Sequence, residues 1–182
     1  MKERNIIETK DHFFLARTLA ASMKLNRVEG IAFIIGNVFP DINPLSYFIP
    51  SGNNSLGGHN YSTRKEFIQS IGAIGKIQGF WGWFITGEKF HYLADAFTRP
   101  HNHEFECSSK AHVAYERRLH KYFTAKLPPI FNLLAVSSPD NFSAWIEYTH
   151  HKYIQKNPGI FKDCSYILNV CKKACAFIVL HK

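Results

Sequence analysis

The stretch from Thr86 to Phe123 contains His91, Asp95, His101, His112 and Glu116, residues of metal-ligand type spaced H-x3-D-x5-H-x10-H-x3-E. Residues four apart on an α-helix project from the same face, one turn above the other. His91 with Asp95, and His112 with Glu116, are therefore placed to grip one object as pairs. Pro100 does not fit a helix interior, so the first helix stops there and His101 falls on the connecting turn. Imidazole nitrogen and carboxylate oxygen suit zinc without any thiolate. One His–carboxylate pair at this spacing is most often a surface ion pair. Two such pairs in one short segment, with a third His between them, point to a metal site.

The elements that must position these groups follow from the apolar pattern. Phe84, His91, Asp95 and Thr98 share one helix stripe; His112, Glu116, Leu119 and Phe123 share another. Lys110, Arg117, Arg118 and Lys121 fall largely off the second stripe. Histidine and carboxylate groups thus sit on faces that also carry apolar side chains, where an uncompensated charge is expensive and a partner is required.

The rest of the chain offers further ligand types. Asp11 is placed to cap a first helix after a patternless stretch 1–10, and His12, Leu15, Ala16, Leu19 and Met23 repeat at helical spacing, with His12 on the apolar face. A lone His there is usually a satisfied core residue. Val28 to Val38 reads as a buried helix ending in Gly36-Asn37-Val38-Phe39-Pro40-Asp41-Ile42-Asn43-Pro44, a turn that contains Asp41. His59 ends a loop rich in Gly, Ser and Asn, just before Thr63-Arg64-Lys65-Glu66, a capping-box signal. Phe67 to Ile85 reads as one helix weakened by Gly72, Gly75, Gly79 and Gly82, glycines that serve either close packing or a kink. Pro128-Pro129 predicts the end of the second ligand helix, Asp140 the cap of another, and Asn157-Pro158-Gly159 a break before a last helix from Phe161 to Val179. No alternating strand pattern and no repeat is present, so the expectation is an all-α helical bundle, one domain over residues 1–182.

At 182 residues and 46% apolar composition the chain can bury a sizeable core. No stretch reads as long enough to span a membrane. No export signal is visible, which gives a cytoplasmic reading, or an exported one if a leader has been removed. The net charge of +8 suits anionic partners: phosphate esters, nucleic acid or an anionic membrane surface. The bland alternative is that the basic residues solubilise a helical surface. Cys164, Cys171 and Cys175 lie at core spacing on one helix, and with Cys107 they are expected to be reduced, buried thiols.

Taken together, His12, Asp41, His59, His91, Asp95, His101, His112 and Glu116, with the strings GNVFPDINP, GHNYS and FHYLADAFTRPHN, resemble the zinc-dependent phospholipases C, in particular their small bacterial members. Their helical fold also occurs in single-strand-specific zinc nucleases. The resemblance implies a first zinc held by Asp41, His59, His91 and Asp95, and a second by His101, His112 and Glu116. A third would use His12, Asp95 as a bridge and the amino terminus, where this chain carries Met1 in place of the family's Trp. It further implies phosphodiester hydrolysis of phospholipids by zinc-activated water, with Asp41 as the proton acceptor; the basic charge adds peripheral contact with a membrane surface. His103, close to the ligand turn, is expected to lie outside the site. Two other readings stay open on the same residues: a nuclease or other phosphoesterase, and a non-catalytic zinc-binding helical protein.

Overall fold

The computed structural model describes residues 4–48, 58–73, 75–105, 107–133 and 137–181, with backbone alone for 4–8, 109 and 126–133. The described residues form seven α-helices: α1 (Arg4–Ser22), α2 (Arg27–Ile42), α3 (Tyr61–Gln69), α4 (Gly79–Asp95), α5 (Ser109–Leu133), α6 (Phe142–Gln155) and α7 (Ile160–His181). No strand occurs among them, and the all-α expectation holds.

The pairing of α2 with α4 builds the site. An Asn26–Glu29 capping box starts α2: Glu29 N–H donates to the Asn26 side chain, and the Glu29 carboxylate accepts from Asn26 N–H. Further along, Gly36 and Gly87 let the two backbones touch. A Cβ on Gly36 would stand 1.9 Å from the Phe84 carbonyl oxygen, and one on Gly87 would stand 2.2 Å from the Phe33 carbonyl oxygen. Asn37 sits between them, buried, and its side-chain amide donates to the Gly87 carbonyl at 3.1 Å. Phe33, Trp83 and Phe90 pack edge to face in the same layer, all fully buried. Helix α1 lies against α2 and α5, α5 against α7, and α7 against α4, closing the bundle around the ends of α4 and α5.

Several expected boundaries are displaced. Helix α1 begins at Arg4, not after Asp11; Asp11 lies inside it and binds the His120 ring at 2.6 Å. Its first turns mix the good helix formers Arg4, Glu8 and Lys10 with Asn5 and Thr9, and Ile6-Ile7 alone gives no repeating apolar pattern to read. Helix α2 runs through Pro40, so Asp41 lies in its last turn rather than in a loop. Proline's fixed φ is compatible with a helix, although it forgoes one ladder hydrogen bond and its ring crowds the carbonyl of residue i−4, here Gly36. Helix α3 begins at Tyr61 with Asn60 in the cap position, placing Thr63 and Glu66 inside it. The run from Phe67 to Ile85 is two helices. Residues 75–78 are irregular, and Gly79 opens α4 with φ +63°, a conformation only glycine adopts cheaply. Helix α5 continues through Pro128-Pro129 to Leu133. Asn141, not Asp140, caps α6, accepting from Ala144 N–H at 3.0 Å.

The break at Asn157-Pro158-Gly159 is where it was expected, between α6 and α7. Cys164, Cys171 and Cys175 are buried free thiols, but Cys107 is exposed. Helix α7 is long and apolar enough to cross a membrane by length and composition, contrary to the expectation that no stretch would qualify. Half of its most apolar stretch is buried inside the protein, as in a core helix.

Candidate metal centre

Asp95, at the end of α4, is the hub of the site. Its Oδ1 lies 3.1 Å from His12 Nε2 on α1, and its Oδ2 lies 2.9 Å from His59 Nδ1 and 3.2 Å from His91 Nε2. Asp41 Oδ1 is 3.6 Å from His91 Nε2. His91 Nε2 and His59 Nδ1 are themselves 3.2 Å apart. All five residues are buried.

The protonation of two of these rings is fixed from behind. His91 Nδ1 faces the Asn37 carbonyl at 2.8 Å, so that nitrogen carries the hydrogen and Nε2 carries a lone pair. His59 Nε2 lies 3.1 Å from Ser46 Oγ. That hydroxyl faces the Pro40 and Asn43 carbonyls at 2.5 and 2.7 Å and gives its one proton to them. Ser46 must therefore accept from His59 Nε2–H, which leaves His59 Nδ1 a lone pair. Four acceptors then converge: His91 Nε2, His59 Nδ1, Asp95 Oδ2 and Asp41 Oδ1. Acceptors this close repel one another unless a cation lies among them, so the donor set fits a metal ion.

The second group stands across the turn. His101, on a short 3₁₀ segment (Arg99–His101), has Nε2 3.8 Å from Glu116 Oε1, and His112 Nε2 also contacts Glu116 Oε1. The His101 and His112 rings meet edge to face at 5.1 Å between centroids. The His101 ring lies 6.1 Å from that of His59, so the two groups adjoin. In each of three groups the ligand atoms lie within 4.8 Å of one another: His12, His91 and Asp95; Asp41, His59 and His91; His101, His112 and Glu116. His12, Asp95, His101 and Glu116 line one cavity of about 40 Å³. That is room for ions and water, and a substrate's bulk must lie outside it.

Electrostatics separate the rings. Burial pushes His91 down to about 3, helped by the charge of His12. Burial likewise takes His101 down to about 3. For His12 burial also opposes charge, but the Asp95 hydrogen bond and the carboxylates of Asp41, Asp95 and Asp11 outweigh it and push the ring up to about 9. Burial works to raise Asp95 as well, yet the charges of His91 and His101 and the hydrogen bond from His12 hold it well below the usual carboxylate range.

All eight sequence-predicted residues are thus brought to one region. His103 is in none of the three groups; it binds Ser62 Oγ at 2.9 Å. The amino group of Met1 lies outside the described residues. Residues that sequence reasoning missed stand behind the site: Asn37, Ser46 and Asp163. Buried Asp163 on α7 accepts from the Arg99 backbone N–H at 3.0 Å, from Tyr115 OH at 2.7 Å and from Tyr153 OH at 2.9 Å. It thereby ties the turn of His101 to the helix of Glu116. The only sequence signal for Asp163 was a carboxylate among the apolar residues of a core helix.

Against known families, the model described as zinc dependent phospholipase C matches residues 11–168. The chain belongs to this family. No curated protein and no solved structure gives a significant match. The matched span contains all eight ligand-type residues of this phospholipase C family member, together with Asn37, Ser46 and Asp163.

Proposed function

We propose that this chain is a phospholipase C, a zinc-dependent hydrolase that cleaves phospholipids to a phosphorylated head group and diacylglycerol. The observation that carries this is the convergence of four acceptors, His91 Nε2, His59 Nδ1, Asp95 Oδ2 and Asp41 Oδ1, in a family defined by zinc dependence. These four residues would hold one zinc. His101, His112 and Glu116 would hold a second, and His12 with Asp95 Oδ1 faces a third position. Bound zinc supplies positive charge against phosphoryl oxygens and lowers the pKa of water to about 7.

The chain's own residues do the rest. Asn37 and Ser46 hold the His91 and His59 rings with a lone pair facing inward. Asp95 would offer one oxygen towards His12 and the other towards His59 and His91, and Asp41 would accept the proton of the attacking water. A ligating His ordinarily donates its second N–H to an acceptor. His12 Nδ1 is buried with no hydrogen-bond partner among the described residues, so the third position is the weakest of the three.

The test is elemental analysis of purified protein, followed by assay on head-group-labelled phospholipid beside single-stranded DNA. Two tightly bound zincs and release of labelled head group are expected, with Asp41→Asn losing turnover while keeping its fold. Cleavage of DNA alone would assign the site to a nuclease, and absence of zinc after metal repletion would overturn the reading.

A further inference from the structure

The outer surface of α1, α2 and the start of α4 is apolar to an extent that the metal site does not explain. On α2 the stripe Val28, Ile31, Ile35 and Ile42 is exposed, with Ile42 at 59%. On α1, Phe13 and Phe14 are exposed and share a groove with Val38 and Ile42 of α2. On α4, Trp81 is 70% exposed and meets Phe84, which packs on Phe39 of α2. These contacts make one continuous face, larger than single exposed apolar residues produce.

Its lower edge is joined to the metal centre. Residues 41–48 are two-sided. Asp41 points inward beside His91, Ser46 holds His59, and Tyr47 stacks on the His59 ring at 4.2 Å between centroids. Ile42, Leu45 and Phe48, three apart, point out, with Leu45 at 72% exposure.

The exposed charges on this face among the described side chains are of one sign. Lys10 and Arg17 are exposed on the same α1 stripe as Phe13 and Phe14. Among the described side chains of α1 and α2 no carboxylate is exposed: Asp11 is bound to His120, and Glu29 to the Asn26 cap. A second copy is a poor occupant, because a two-fold contact would set the same basic stripe near itself on a chain already at +8. An anionic lipid surface complements both features: apolar and aromatic side chains enter the interface, and basic ones meet the head groups.

We propose that this α1–α2–α4 face docks on an anionic phospholipid bilayer and sets the 41–48 segment, and with it the metal centre, against the head groups. The proposal rests on the phospholipase reading for its purpose, but not for its observations.

The experiment is flotation of the intact protein with vesicles of phosphatidylcholine, with and without phosphatidylglycerol. Wild type is expected to float with the anionic vesicles. Lys10→Glu with Arg17→Glu should weaken that binding by about 30-fold or more. Leu45→Ser with Trp81→Ser should abolish it. Both variants should keep the circular dichroism, the zinc content and the hydrolysis of a short-chain, monomeric phospholipid shown by wild type. Wild type that stays unbound, or a Leu45→Ser/Trp81→Ser variant that floats like wild type, overturns the proposal. So does a dimer in sedimentation velocity that the same substitutions dissociate, which would give the face to a second copy. Flotation that depends on these residues, in a protein that cleaves neither monomeric nor vesicular phospholipid, would uphold docking and defeat the phospholipase reading instead.

Discussion

Gly36→Ala tests how the metal centre is built. The added methyl would lie 1.9 Å from the Phe84 carbonyl oxygen, and a Cβ contact takes at least about 3.0 Å. The obstacle is backbone, so no side chain can swing aside, and α2 must move from α4 by about 1 Å. Asp41 travels with α2, whereas His91 and Asp95 travel with α4. Asn37, which binds the Gly87 carbonyl and orients His91, sits one residue from the substitution. Ligand constellations tolerate about 0.5 Å, and a 1 Å misplacement costs about 100-fold in rate. Overpacking itself costs about 1–3 kcal/mol.

The expected result is therefore a lower melting temperature, loss of one zinc per chain by elemental analysis, and turnover reduced about 100-fold. Gly30→Ala is the control on the same helix: its nearest atoms would be 4.0 Å away, and helix propensity favours Ala by up to about 1 kcal/mol. It should keep full zinc and activity and gain slightly in stability. A Gly36→Ala protein with wild-type melting, zinc content and turnover would refute the claim that this backbone contact sets the Asp41–His91 geometry.

Three further outcomes follow, two from the residues behind the site and one from His150, buried on α6. Ser46→Ala removes the acceptor behind His59 and should weaken zinc binding about 10–100-fold in chelator competition, with little change in fold. Asp163→Ala strands the Arg99 N–H and the Tyr115 and Tyr153 hydroxyls; urea unfolding should show a loss of about 3 kcal/mol or more, and metal analysis should show the His101–Glu116 site emptying first. His150 is pushed by burial down to about 4, below the reference 6.5, so the unfolded chain binds the extra proton between those values. Its contribution is therefore present above pH 6.5 and lost as pH falls towards 4. Urea titrations over that window should show His150→Gln losing less stability with acid than wild type, by about one proton's slope.

The sequence made five of the ligand-type residues conspicuous because their signal is local, whereas His12, Asp41 and His59 joined them only through the family resemblance. His91 with Asp95 and His112 with Glu116 are set on one face by helix geometry alone, and Pro100 was enough to place His101 on a turn. The all-α class followed equally directly from apolar spacing. Helix ends were less legible, because a proline reads as a stop although its φ is helical; Pro40 and Pro128-Pro129 both lie inside helices. Gly36 was read as part of a turn, yet its use is tertiary: it is defined by the Phe84 carbonyl, which nothing near it in sequence announces.

The same distinction separates the ligand-type residues from those that hold them. A carboxylate or imidazole advertises its chemistry by type, whereas Ser46 and Asn37 act through single atoms whose value depends on what the folded chain brings opposite. Ser46 fixes the His59 tautomer only because the Pro40 and Asn43 carbonyls take its proton; the first lies in the last turn of α2, and the second also accepts from the Ser46 backbone N–H. The proline that looked like a helix stop thus contributes its carbonyl to the acceptor set that turns the His59 lone pair inward. The end of α2 supplies Asp41, the Ser46 relay and the outward Ile42 within six residues. Changes to that segment should therefore alter metal affinity and surface binding separately, according to which side of the chain they touch.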